Sequence, residues 1–139
     1  MKIVSDTLNI KTGGNGDLIN ITDNLIHIVN ESKLKQGNLT AFVVGSTAAL
    51  TTFEFESGMI QDVKDMFEKL ITSSKHYNHD ETWGDANGFS HLRASLQGQS
   101  ITIPFDGGSL ALGTWQQVVL AEFDVRPRQR RIVVQLIGE

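Results

Sequence analysis

Apolar positions in the first ten residues fall at Ile3, Val4, Leu8 and Ile10 among polar neighbours, and this partial alternation predicts an opening strand. Gly13-Gly14-Asn15-Gly16-Asp17 breaks it. The cluster lacks both the Gly-x-Gly-x-x-Gly spacing and a Lys-Ser/Thr ending, so it predicts a turn rather than a phosphate loop. Leu25, Ile28, Val29 and Leu34 then recur at near-helical spacing between a polar start at Thr22-Asp23-Asn24 and Gly37, predicting a core-packing helix. His27 lies on that helix and is assigned to packing. Leu39 to Val44 and Ala48 to Phe55 are apolar, Thr-rich runs about Gly45-Ser46-Thr47 and predict two strands. A second helix is predicted from Gly58 to Ile71, with Ile60, Val63, Phe67, Leu70 and Ile71 opposite Gln61, Asp62, Lys64, Asp65 and Glu68. Residues 73–88 have little apolar periodicity and predict a long loop. Beyond it, residues 92–96, 100–105, 109–113, 118–123 and 131–137 predict strands divided by Gly and Pro. The whole pattern predicts an α+β fold, mostly antiparallel β-sheet with two main helices, as one domain over residues 1–139.

Composition narrows the class of function. With 139 residues, 40% of them hydrophobic and 20% charged, the chain has enough apolar surface for a core without disulfides. It contains no Cys, which removes thiolate chemistry and leaves only nitrogen and oxygen ligands for any metal. A net charge of -4 weighs against nucleic acid as a partner. No stretch approaches the roughly 20 apolar residues of a membrane span, and Met1 to Asp6 carries no cleavage-like signal. The expectation is a cytoplasmic protein without a membrane or nucleic-acid partner.

Three of the four histidines, His76, His79 and His91, lie in one short polar stretch with Asp80, Glu81 and Asp85. Imidazole and carboxylate bind divalent metals or move protons near neutral pH, so this stretch is the candidate active site. A solvated loop with the same composition is the alternative. Near the C-terminus, Arg128 and Arg130 alternate in an extended segment, so both forks would reach one face and hold a phosphate there, or form salt bridges between subunits. Ser46 and Thr47 would donate hydroxyl hydrogen bonds to phosphate or cap a turn. Trp115 and Gln116 would stack on and hydrogen-bond a flat heterocycle, or pack in the core or at a subunit contact. Glu54 and Glu122 become acid–base candidates if the fold carries them to the histidines.

From residue 91 onward the chain resembles a known family. His91-Leu92-Arg93-Ala94-Ser95-Leu96, then Gly98 and Ser100, then Leu110-x-Leu112-Gly113-Thr114-Trp115-Gln116, and finally Glu122-Phe123-Asp124 with Pro127-Arg128-x-Arg130, are similar to the signature of the YjbQ-type, secondary thiamine-phosphate synthase family. Upstream, Ser46-Thr47-Ala48-Ala49, Thr51, Glu54, Asp62, Tyr77-x-His79-Asp80 and Asn87 extend the likeness over nearly the whole chain. One departure is Gly45, which stands where many relatives carry His, so no role of that histidine transfers.

The resemblance implies a homotrimer and a metal-assisted transferase that joins a pyrimidine methyl diphosphate to a thiazole phosphate and releases pyrophosphate. It singles out His79 and His91 as metal ligands and catalytic groups, with Asp85, Asp80 or Glu122 completing the shell. Two imidazoles and a carboxylate suit zinc or another transition ion, with magnesium the alternative. Asn87 and Thr114 join the substrate-binding set with Ser46, Thr47, Trp115, Gln116, Arg128 and Arg130. A metal-dependent hydrolase of a small phosphate or ester would use the same residues, and a non-catalytic ligand- or metal-binding trimer is the third reading.

Overall fold

The computed structural model describes residues 1–139. The opening alternation becomes β1 (Lys2–Lys11), which pairs along its whole length with the C-terminal strand β8 (Gln129–Gly138). β8 pairs on its other side with β3 (Gln36–Val44), followed by β5 (Ser100–Asp106) and the two-residue β6 (Ser109–Leu110). This five-stranded antiparallel sheet is backed by a second sheet in the order β2 (Leu18–Asn20), β7 (Gln116–Glu122), β4 (Ala48–Glu54). α1 (Thr22–Ser32) starts where Asn20 Oδ1 accepts the Thr22 N–H at 3.0 Å, so Asn20 does the capping work expected of the Thr22 cluster. α2 (Ser57–Leu70) is capped by the Glu56 carboxylate, which accepts the N–H groups of Gly58 and Met59.

Two expectations for the middle of the chain are corrected. Residues 73–88 contain a short helix, α3 (Asn78–Trp83), and the strand predicted at 92–96 is part of a helix, α4 (Gly88–Gln97). The fold therefore carries two further helices, α3 and α4, beside the two main ones expected. Leu92 and Leu96, the apolar ends of the expected strand, lie exposed, while Phe89, Ser90, Arg93 and Ala94 form the buried side. The misleading signal came from apolar residues that the fold leaves outside.

The middle layer makes the architecture legible. Along β7, Val118 and Leu120 enter one core with Leu39, Val43, Ile132 and Leu136 of the large sheet and Leu25 and Val29 of α1. Val119, Ala121 and the following Phe123 enter a second core with Val63 and Phe67 of α2 and Ala94 of α4. One strand with period-two alternation thus serves cores on both faces, which is why it reads as a continuous apolar run. The outer face of the large sheet has no helix over it, and Ile3, Phe42, Val44 and Ile137 remain exposed. No helix is long and apolar enough to cross a membrane.

Candidate functional site

The ends of several elements meet at one place. Gly45-Ser46-Thr47 links β3 to β4, Glu122 closes β7, Arg128 and Arg130 flank the start of β8, and α3 and α4 bring His79, Trp83, Asn87 and His91. With Asp85, all of these except the buried Glu122 line a pocket of about 350 Å³ in which Trp83 is the hydrophobic member.

The α3–α4 side is set by Asp80. Its carboxylate accepts the Tyr77 N–H and the Gly88 N–H, both at 2.9 Å, and ties the two helices together. Those two backbone bonds hold its carboxyl below the usual range despite its burial. Gly88 permits the approach, since a Cβ there would stand 2.7 Å from Tyr77 Cβ. The result is that the His79 and His91 rings lie with centroids 4.3 Å apart, inclined by 56°. Burial, and then the nearby His79, push the His91 imidazole below its ordinary value, against the opposing pull of Asp124 and Asp85. His91 is therefore biased to its neutral form at pH 7.

Behind the rings stands Asp124, almost completely buried. Burial alone would raise its carboxyl, but hydrogen bonds from Arg128, the Val125 N–H and Asn87 outweigh burial and keep it low. As a pure acceptor it fixes Asn87 Nδ2 toward itself at 3.3 Å, so Asn87 Oδ1 faces His79 Nε2 at 3.1 Å and accepts its proton. Neutral His79 then carries its lone pair on Nδ1. Asp124 also accepts Thr47 Oγ1 at 3.2 Å and Arg128 Nε at 2.8 Å, so one carboxylate orients three pocket residues.

The arginines share the pocket wall as the alternation suggests, but neither is a free fork. Arg128 pairs with Asp124. Arg130 donates Nε to Glu122 Oε2 at 2.7 Å, Nη2 to Thr47 Oγ1 at 2.7 Å, and Nη2 again to Glu122 Oε1. Glu122 is wholly buried and accepts further bonds from Thr12 Oγ1 at 2.7 Å and the Asp124 N–H at 3.0 Å. It works as the anchor of Arg130, with both oxygens occupied, rather than as a proton carrier. The glycine turn supports this wall: Asn15 and Gly16 donate their N–H groups to the carbonyls of Asp124 and Glu122 at 2.7 and 2.9 Å. The Asn15, Gly16 and Asp17 amides are spent on backbone carbonyls and the Gly13 amide on the Asp17 carboxylate, as in a turn and not a phosphate loop.

Glu54, Thr114, Trp115 and Gln116 lie elsewhere. Glu54 pairs with Gln116 at one end of the β4–β7 ladder, whereas Ala48 pairs with Glu122 at the other, about 20 Å away at roughly 3.4 Å per residue. Gln116 Nε2 donates to Thr52 Oγ1 at 3.0 Å, and Trp115 is exposed. The aromatic residue at the pocket is instead Trp83, 77% exposed at the end of α3. Trp83, Asp124 as the organising carboxylate, and Thr12 were missed by sequence reasoning. Trp83 was signalled only by its place within the polar stretch.

The donor types for a metal are present in His79, His91 and Asp85, but their arrangement does not fit one. Asp85 Oδ1 is 3.8 Å from His79 Nε2, which already faces Asn87, and no three His, Asp or Glu side chains converge as a ligand group. Asp80 and Glu122 are committed to backbone and arginine. His76 is exposed, 2.8 Å from Glu81, outside the pocket lining.

Comparison with known proteins places this geometry in context. The profile of the family described as UPF0047 protein YjbQ-like matches residues 6–139. A UPF0047 protein of Archaeoglobus fulgidus is 37% identical over 130 residues, spanning 94% of this chain and 98% of the relative. A second, from Methanothermobacter thermautotrophicus, is 37% identical over 139 residues, 100% of this chain and 95% of that protein. Among solved structures, a YbjQ-like protein of unknown function from Sulfolobus solfataricus superposes with a TM-score of 0.94 at 33% identity, covering 99% of both chains.

Proposed function

Because this chain belongs to the UPF0047 YjbQ-like family, we propose that it is an enzyme acting on a small phosphorylated heterocycle, a transferase of the secondary thiamine-phosphate synthase kind. The observation that carries the reading is one pocket holding two contacting imidazoles, an arginine-bearing wall and an exposed indole. In the proposed reaction the C–O bond of a pyrimidine methyl diphosphate breaks, pyrophosphate leaves with the electron pair, and the thiazole nitrogen bonds the freed methylene carbon. Trp83 offers a face for a flat ring. The guanidinium N–H groups and the Ser46 hydroxyl give directed hydrogen bonds to phosphate oxygens. Both arginines are already paired with carboxylates, so this wall contributes aligned donors more than net positive charge.

Hydrolysis of a small phosphate or ester is the second reading, favoured by the depressed His91: a neutral imidazole takes a proton from water more readily than it gives one to a leaving group. Incubation with both thiamine precursors, followed by mass spectrometry, separates the two. Joined product from the parent protein, falling at least about 100-fold in His79→Ala and His91→Ala, is the expected result, the size of an acid–base contribution. Free pyrimidine alcohol without joined product would transfer the assignment to hydrolysis. Retained ligand with neither product would leave a binding protein. The family resemblance also underlies a proposed homotrimer, for which the uncovered face of the large sheet is the available surface.

A further inference from the structure

We propose that Gly45 is a specificity-determining residue of this pocket, the position whose lack of a side chain leaves Arg130 Nη1 uncovered for a phosphate-class oxyanion. The inference rests on the pocket being a phosphate site and adds which atom anchors the anion and what keeps it accessible. Three of the guanidinium's functions are spent: Nε and Nη2 are fixed on the two Glu122 oxygens and on Thr47 Oγ1. Nη1 has no partner within the chain and, in a residue only 5% exposed, keeps a small accessible surface, since the sole fully buried side-chain polar atom without a partner is Ser90 Oγ. Gly45 lies against it: a Cβ built on Gly45 would stand 2.8 Å from Nη1 and 3.9 Å from Cζ, inside the shell an oxygen bonded to Nη1 must use. Both residues line the same pocket.

The gap is enforced in two ways. Gly45 has φ +138°, a backbone conformation that residues with a side chain rarely adopt. Nor can the guanidinium move aside to make room, because it is held at two points by a fully buried Glu122 and at a third by Thr47. A side chain at position 45 would therefore occupy the space an oxyanion needs and cover the one free nitrogen. With Gly there, Nη1 presents its N–H bonds to an incoming oxygen from a fixed position, with no rearrangement on binding.

Calorimetric titration with inorganic phosphate of the parent, Gly45→Ala and Arg128→Ala tests this, with circular dichroism recording that each is folded. Gly45→Ala is expected to bind phosphate at least about 10-fold more weakly than the parent. Parent-like affinity in Gly45→Ala, with binding lost in Arg128→Ala, would place the anion on Arg128 and overturn the role of Gly45 while the phosphate pocket stands. No binding by the parent would overturn the pocket reading itself. Should Gly45→Ala not fold, nitrogen-15 NMR of the parent guanidinium groups gives the answer: phosphate should shift the Arg130 resonances, and a shift at Arg128 alone would refute the proposal.

Discussion

Asp124 shows how one buried carboxylate can decide the chemistry of a neighbour it does not touch. It orients the Asn87 amide, and the amide in turn sets which nitrogen of His79 holds the proton. Asp124→Asn would remove this certainty, because an amide in that place can accept or donate and Asn87 could turn over. Long-range nitrogen-15 NMR of the histidine rings should report the Nε2–H tautomer for His79 in the parent and a shift toward Nδ1–H in Asp124→Asn. A parent in the Nδ1–H form would refute the relay. Glu122 has the different task of clamping Arg130, and breaking a buried pair of this type from one side typically costs about 3–5 kcal/mol. Its identity as a carboxylate in Glu122-Phe123-Asp124 was legible from sequence, but its task was not.

At the scale of elements, α4 is held by an arginine on its buried side. Arg93 donates Nε and Nη2 to the Ile71 carbonyl at 3.0 and 2.8 Å, just past the end of α2, and Nη2 to Glu68 at 2.7 Å. The Ser73 N–H, the Thr72 hydroxyl and Arg93 together lower the carboxyl of the half-exposed Glu68 to about 2, against a smaller opposing desolvation. A carboxyl depressed in the folded state stabilises the fold above its unfolded value, and that contribution disappears as pH falls through the folded one. For Glu68 the window runs from 4.5 down to about 2. Glu68→Gln should therefore lower the urea midpoint at pH 6 and narrow its gap to the parent as pH approaches 2. An equal gap at both pH values would show that the charge is not what Glu68 contributes. Sequence reading places Glu68 on the polar side of α2 correctly but names no partner for it, because the pairing depends on residues 88–97 being a helix that turns Arg93 inward.

For the whole molecule, the question is what lies over the outer face of the five-stranded sheet. Ile3 pairs with Ile137, and Phe42 pairs with Val133, so apolar side chains from β1, β3 and β8 stand side by side there. Both helix-bearing cores lie on the other side. Burial of such a face between copies would remove apolar area from water, at about 25 cal/mol per Å². Light scattering should give about three times the 15.3 kDa chain mass, and Phe42→Lys should lower it. A monomeric parent at micromolar concentration would remove the trimer, whereas a trimer indifferent to Phe42→Lys would move the contact elsewhere.

The sequence by itself determined the antiparallel α+β class, the two long amphipathic helices, most strand positions and the family. Those properties follow from period and from residue types in fixed order, which neighbours along the chain express. It also marked His79, His91, Asn87, Ser46, Thr47, Arg128 and Arg130, all of which the fold brings to one pocket. What tertiary structure alone decided was partnership. The β4–β7 register sent Glu54 and Gln116 to the far end of the ladder from Thr47 and Glu122. Packing on β4 and the second core made residues 88–97 helical where a strand was expected, and long-range pairing turned two expected anion forks into clamped side chains with one free edge. Each of these depends on contacts between residues far apart in the chain, whose energies no local pattern records.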